Sequence, residues 1–256
     1  MTFWTNKVVL ITGASSGIGK GLALELASRG AKLGLVARRQ NLLDEIVNAV
    51  RLRGVKAFAL AADVQDTDAM RAVADRIRAE LGPIDILIAN AGLVTTSHIS
   101  KLDPIHAANV LSVNVLGAAN SVAAVMPQMI ERGQGQLVAV SSLAAYRGLP
   151  LSAAYCASKA AMSAFFESVR IDLRGTGVRV TVIHPGFIKT PVTEGRHAQM
   201  PYLMELEDAV AKILTAIEKG KRSVAFPWQL AAVVRAGLVM PAFMYDWLAA
   251  RNSYRE

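Results

Sequence analysis

A tyrosine and a lysine stand four residues apart, Tyr155 and Lys159, and a serine pair, Ser141 and Ser142, precedes them. Four-residue spacing projects both side chains from one face of a helix. An ammonium beside a phenol favours the phenolate and draws its pKa from about 10 toward neutrality. Such a phenol serves as general acid in a reduction, or as general base in an oxidation. Ser142 follows an apolar run that reads as a strand, and it can donate a hydrogen bond to a substrate oxygen as charge gathers there. Near the other end of the chain, Thr12-Gly-Ala-Ser-Ser-Gly-Ile-Gly19 closes one apolar run and opens a helical stretch. Gly13 permits a tight turn, Gly17 a close backbone approach to a pyrophosphate, and Gly19 close packing of the helix. The helix N-terminus around Ser15, Ser16 and Ile18 offers N–H groups and a positive dipole end to phosphates. A glycine turn alone also serves as a plain structural turn, and a Tyr/Lys pair as an exposed helix pair. Their joint placement on one sheet edge favours dinucleotide chemistry.

The elements that must position these groups alternate along the whole chain. Apolar runs predict strands over Val8–Thr12, Lys32–Ala37, Lys56–Ala61, Ile84–Ala89, Gln136–Ser141, Val178–Ile183 and Ser223–Phe226. Between them the pattern predicts helices over Gly17–Arg29, Asn41–Arg53, Thr67–Glu80, a long one from about Asp103 to Glu131, and Ser152–Leu173. Strands apolar on both faces and separated by helices mean a parallel sheet covered on both sides. The expectation is an α/β, doubly wound, Rossmann-type fold with a mainly seven-stranded parallel sheet. With 256 residues, 53% hydrophobic and 19% charged, the chain has the length and core for one dinucleotide-binding domain over 1–256. No repeat or low-complexity linker divides it.

With these motifs the chain resembles the short-chain dehydrogenase/reductase family. The glycine turn reads G-x-x-x-G-x-G, and the rest follows in the family's order: Asp63-Val64, Asn90-Ala91-Gly92, Asn114, Ser142, Tyr155-x-x-x-Lys159 and Pro185-Gly186. The resemblance spans residues 6 to about 190. It implies that Tyr155 is the proton donor, that Ser142 polarises the carbonyl, and that Lys159 holds the nicotinamide ribose and lowers the phenol pKa. Asn114 would complete a proton relay through water, although an asparagine in an apolar helix also serves as a locally satisfied buried group. Ser141 competes for the serine role; the family's thirteen-residue spacing to the tyrosine favours Ser142. Asp63 and Val64 would meet the adenine, Asn90, Ala91 and Gly92 the back of the cofactor site, and Ile188 and Thr190 the carboxamide. The region 187–220 would cover the substrate, with Phe187, Met200, Tyr202 and Leu203 lending it apolar character. Together with Leu93–Ser97 and Leu143–Leu149 it implies a hydrophobic substrate of steroid, lipid or xenobiotic type.

The second strand ends in Ala37-Arg38-Arg39, with no carboxylate for a ribose 2′-OH and two cations for a 2′-phosphate. NADP(H) is therefore expected over NAD(H), although two exposed cations opening a helix would look the same. His98, His106, His184 and His197 lack metal-ligand spacing, so no metal is expected. Cys156, the sole cysteine, allows no intramolecular disulfide and suits a reducing compartment. No segment reads as a signal h-region, which points to the cytoplasm. A net charge of +8 is scattered without an aromatic-interleaved stripe, so nucleic acid is not expected. A homo-oligomer, dimer or tetramer, is. The apolar tail, 227–256, carries tryptophans near both ends of Trp228–Leu248 and Pro241 within. Core packing, a subunit interface and peripheral membrane contact all fit it. Outside catalysis, a dinucleotide-binding redox sensor and a membrane-surface scaffold acting through the tail remain as alternatives.

Overall fold

A computed structural model describes residues 2–194 and 200–251; His197 and the tail beyond residue 251 lie outside the described residues. Seven strands form one parallel sheet: β1 (Val8–Thr12), β2 (Lys32–Ala37), β3 (Ala57–Ala61), β4 (Ile86–Ala89), β5 (Gly135–Val140), β6 (Val178–Pro185) and β7 (Ser223–Phe226). Their order is β3-β2-β1-β4-β5-β6-β7. The fold is the expected doubly wound one. Side chains alternate along β1 so that Val9 and Ile11 enter one core while Val8 and Leu10 enter the other. That two-sided burial is why the strands read as unbroken apolar runs.

Helices α1 (Gly17–Ser28), α2 (Gln40–Arg51) and α7 (Leu206–Glu218) cover the first face, contributing Leu22, Leu26, Leu43, Ile46, Ile213 and Ile217. On the second face lie α3 (Thr67–Leu81), α5 (Gly117–Glu131) and α6 (Ala153–Asp172), with Met70, Ile77, Val122, Met129, Met162 and Phe166 in the core. The helical region expected from about Asp103 to Glu131 runs from Pro104 to Glu131 with a change of pitch inside it. Asp103 caps α4 (Pro104–Leu111) through a 2.9 Å bond from the Ile105 N–H, and a wide π-helical turn, Ser112–Leu116, joins α4 to α5. Pro104–Glu131 is long and apolar enough to cross a membrane by composition, but 44% of its most apolar window is buried in the protein core.

The chain winds toward β3 on one side of β1 and toward β7 on the other side of β4. Loops leaving the carboxyl ends of these neighbouring strands therefore part toward opposite faces and open a crevice. The tail forms α8 (Trp228–Val239) and α9 (Ala242–Arg251), separated at Pro241, which cannot continue a helix. Among its described residues Ala231 and Gly237 are buried, while most of its large side chains are exposed. The tail is not part of the core.

Phe166 is fully buried and meets Phe165 edge-to-face at 5.6 Å between ring centres. Phe166→Ala is expected to lower stability by roughly 3–5 kcal/mol, a fall in the thermal midpoint of roughly 6–20 °C. Thermal unfolding of the two proteins checks this, and an unchanged midpoint would contradict the packing described.

Candidate active site

The glycine turn is built by close contact. Gly13 has φ +66°, and a Cβ there would lie 2.7 Å from Ala91 Cα. A Cβ on Gly19 would lie 2.2 Å from the Gly13 carbonyl oxygen and 2.7 Å from Asn90 Nδ2. No side chain fits either place. Thr12 Oγ1 accepts the N–H groups of Asn90 (3.1 Å) and Ala91 (3.2 Å), and Asn90 Nδ2 donates to the Thr12 and Gly13 carbonyls at 3.1 and 3.2 Å. The loops after β1 and β4 are thus stapled to each other. Thr12 escaped the sequence reading; its mark there is one hydroxyl ending an otherwise aliphatic strand. Ser16 caps α1 with extended backbone and no side-chain cap bond, and Gly17 faces the Thr190 side chain.

Arg39 reaches back over this turn, donating to Ser15 Oγ at 3.0 Å and Ser16 Oγ at 3.2 Å. Arg38 is exposed beside it. Next along the edge, the Asp63 carboxylate accepts the Gln65 N–H at 3.0 Å, and Val64 is buried. Asn120 of α5 fixes this loop by donating to the Val64 and Gln65 carbonyls at 3.0 and 3.1 Å. It too was missed, since a lone amide on a helix has no spacing to betray it.

Tyr155 and Lys159 share one face of α6, with Lys159 Nζ 5.9 Å from the centre of the Tyr155 ring. Nζ donates to the Val140 carbonyl at 2.9 Å, and burial pushes the ammonium pKa down to about 8. Gly92 joins this group, because a Cβ on it would lie 3.2 Å from Asn114 Oδ1 and 3.4 Å from Lys159 Nζ. Asn114, in the wide turn, is buried: Oδ1 accepts the Leu93 N–H at 2.7 Å, and Nδ2 donates to the Leu93 carbonyl and to Ser158 Oγ. The two serines separate clearly. Ser141 is buried, donating to the Lys159 carbonyl at 3.1 Å and pairing with Ser163 Oγ at 2.8 Å. Ser142 is half-buried just past β5, and its Oγ accepts the Ala144 N–H at 3.1 Å.

Behind the serines lies His184, which no motif announced. Its ring meets Ser163 Oγ at 3.3 Å and Ser223 Oγ at 3.4 Å, and it stacks at 4.9 Å on Tyr146. Burial, with a smaller push from the Arg235 charge, lowers its pKa to about 4, so the imidazole is neutral. Past Pro185, Gly186 donates to the Phe226 carbonyl at 2.7 Å, and Ile188 is buried where Lys189 and Met204 join the two ends of the covering loop. All these groups converge on the carboxyl edge of the sheet. Among the described residues no cluster of His, Cys, Asp or Glu is placed to hold a metal ion. Burial raises the pKa of the Cys156 thiol.

Known proteins agree with this architecture. The short chain dehydrogenase family profile matches residues 7–201. An "uncharacterized oxidoreductase" of Myxococcus xanthus is 44% identical over 245 residues, covering 96% of this chain and 97% of that protein. The 11-beta-hydroxysteroid dehydrogenase 1A of Arabidopsis thaliana is 40% identical over 193 residues, 75% of this chain and 55% of that protein. A short-chain dehydrogenase/reductase from Burkholderia phymatum, solved in complex with NAD, superposes with a TM-score of 0.85 at 25% identity, covering 92% of this chain and 94% of that one. The chain belongs to the short-chain dehydrogenase/reductase family, whose members are NAD(P)-dependent oxidoreductases.

The buried lysine has a measurable consequence. Its pKa lies near 8 in the fold and near the ordinary 10.5 when unfolded, so between these values the unfolded chain holds a proton that the native one lacks. The stability contributed by this group therefore rises as pH rises from about 8 toward 10.5. In Lys159→Met that rise is expected to vanish, so wild type gains on the variant with pH. Urea unfolding of both cofactor-free proteins across that window measures the difference. A constant difference would contradict the burial argument.

Proposed function

We propose that this chain is a cytoplasmic NADP(H)-dependent carbonyl reductase or alcohol dehydrogenase acting on a hydrophobic substrate. The observation that carries the reading is the convergence of Tyr155, Lys159 and Ser142 at the edge where the glycine turn lies. A dinucleotide fits the residues present. Gly13 and Gly19 let α1 start hard against the loop after β4, a Cβ on Gly17 would meet nothing closer than the Thr190 side chain at 3.6 Å, and Ser15, Ser16 and Ile18 sit at an N-terminus that no side chain caps. Asp63 and Val64 would hold the adenine, Asn90, Ala91 and Gly92 the back of the site, Lys159 the nicotinamide ribose, and Ile188 and Thr190, after Pro185-Gly186, the carboxamide end.

Hydride transfer is the chemistry the bound nicotinamide supplies. Tyr155 gives its phenolic proton to the substrate oxygen in reduction and takes it back in oxidation. The Lys159 ammonium stabilises the phenolate left behind. The Ser142 hydroxyl turns from its local contacts to donate to the same oxygen, where negative charge gathers. Asn114, its amide bound to Leu93 and Ser158, supports the water relay by fixing the wide helical turn beside Lys159. Ser141, tied to Lys159 and Ser163, serves the helix and not the substrate.

A substrate with a hydrocarbon part is favoured by a cleft of about 190 Å³ beside Ala153 and Ala154 of α6, where Ile99, Leu102, Leu149 and Leu151 line one part and Thr95, Ser97, Lys101, Asp103 and His106 another. The Arabidopsis relative, named for a hydroxysteroid, is consistent with that class. For the cofactor, the Burkholderia structure contains NAD, so the preference rests on this chain's own Arg38 and Arg39. Arg39, seated on Ser15 and Ser16, is the better placed of the two for a 2′-phosphate.

Tyr155→Phe is expected to cut turnover by about 10²–10⁴ while NADPH affinity stays within a few-fold. Retention of more than roughly a tenth of wild-type turnover would remove Tyr155 from the acid role. For the cofactor, charge-assisted bonds to a phosphate contribute about 1.5–3 kcal/mol, roughly ten- to a hundredfold in affinity. Arg39→Asp is thus expected to move the ratio of kcat/KM for NADPH over NADH toward NADH by that factor. Arg38→Asp is expected to move it less, and the double substitution most. A wild-type preference for NADH, or a ratio unmoved in the double variant, would overturn the assignment.

A further inference from the structure

The tail helices lie against the catalytic loops and present an apolar surface there. Residues 228–251 include three charged residues, Arg235, Asp246 and Arg251. Trp228 is 73% exposed, Val239 87% and Phe243 74%, with Val233, Leu238 and Met244 also open to solvent. On α8 the exposed Trp228, Val233, Leu238 and Val239 point to several sides of the helix, so they form no single seam of the kind a partner helix covers. Arg147 fastens the pair to the loop between Ser142 and Tyr155. Its guanidinium donates to the Gly237 and Met240 carbonyls and lies 4.1 Å from the centre of the Tyr245 ring, while Tyr245 OH donates to the Gly148 carbonyl at 2.6 Å. The next residue, Leu149, lines the cleft beside α6, and Tyr202 and Leu203 are exposed as well.

We propose that this face docks on an anionic phospholipid surface and that a lipid-dissolved carbonyl substrate enters the site from that surface. The second half rests on the reductase reading above; the first does not. Charge supports the choice of occupant. The chain carries a net charge of +8, which draws it as a whole toward an anionic surface; around the apolar groups Lys101 and Arg235 stand exposed and can meet lipid phosphates, with the exposed carboxylates of Asp103 and Asp246 on the same segments. Trp228 at the start of α8 has the amphipathic ring suited to the headgroup level. The apolar surface would sink a few ångströms below the phosphates, as interfacial helices do, without a span. A second copy seated on the same face would lie over Gly148 and Leu149 and close the cleft; a fluid lipid surface leaves it fed.

The test floats the full chain with vesicles of phosphatidylcholine alone and of phosphatidylcholine mixed with phosphatidylglycerol. Wild type is expected to float with the mixed vesicles, and the Val239→Asp/Phe243→Asp variant to bind them at least tenfold more weakly. Both side chains are exposed, so the variant is expected to keep wild-type NADPH turnover of a small water-soluble ketone, which also reports that it is folded. For a long-chain ketone carried in mixed vesicles, its KM is expected to rise several-fold with kcat unchanged. Wild type remaining in solution with both vesicle types, or a variant that floats equally well, overturns the docking. If gel filtration shows wild type dimeric and the variant monomeric, with neither floating, the occupant is a second copy and the proposal fails. Unchanged long-chain KM in a variant that no longer floats overturns substrate entry while leaving docking intact. Flotation without turnover of any ketone sinks the reductase reading and with it substrate entry, and docking stands.

Discussion

The contact of two glycines and one side-chain amide fixes where the site's loops can sit. The α1 helix starts so close to the strand it follows that Gly19 rests on the Gly13 carbonyl, with Asn90 Nδ2 filling the remaining space. Because the sheet order reverses between β1 and β4, those groups come from loops that diverge immediately afterwards. Thr12 and Asn90 hold the loops together at the one place they meet, through four hydrogen bonds. A methyl group at either glycine would push α1 away from the β4 loop. The N–H groups at the helix start would then lose their aim, and Ala91 and Gly92, which lead on to Asn114 and Lys159, would lose their support.

The second dependence is on a buried cation. Lys159 sits in the fold against the Val140 carbonyl, with no ion pair among the described residues, and desolvation accordingly weakens its hold on a proton. That suits a group meant to respond to negative charge arriving next to it. A phenolate nearby favours the charged form, and burial alone sets the lysine to lose its proton at mildly alkaline pH. The helix that carries it is braced from behind: Ser141 and Ser163 both donate to the Lys159 carbonyl, and His184 backs Ser163. With its pKa near 4, His184 stays neutral through the pH range in which Lys159 titrates, so the brace does not change charge as the site does.

What the sequence disclosed follows from the range of the forces involved. Strand runs, the glycine turn and the Tyr155/Lys159 spacing are local patterns, imposed by burial on two faces and by the 3.6-residue turn, and they appear at their expected places with ends shifted by a residue or two. The wide turn at Ser112–Leu116 was not legible, because the Leu93 loop and Ser158 that hold the Asn114 amide are brought to it by the fold. The same holds for the division of labour between Ser141 and Ser142. One residue of pleat turns Ser141 inward to Lys159 and leaves Ser142 at the open edge, and spacing alone had only favoured the second. Arg38 and Arg39 were indistinguishable as letters; direction relative to the serine turn separates them. For the tail, apolar composition allowed core, interface or membrane contact alike; the exposure of Trp228, Val239 and Phe243 sets the core reading aside and leaves the other two.

This last feature ties the surface to the chemistry through a short mechanical path. Arg235 lies 5.8 Å from the centre of the Tyr146 ring, Tyr146 stacks on His184, and His184 touches Ser163 beneath the catalytic helix. Tyr146 also ends the short 3₁₀ turn that Ser142 begins. The loop bearing the Ser142 hydroxyl is thus gripped on one side by the sheet and on the other by α8, with Arg147 as a second fastening at the bend before α9. Ser142 and the tail are thus joined through Tyr146 and Arg147, four and five residues further along the same loop, so the apolar face of α8 and α9 borders the loop that carries the serine.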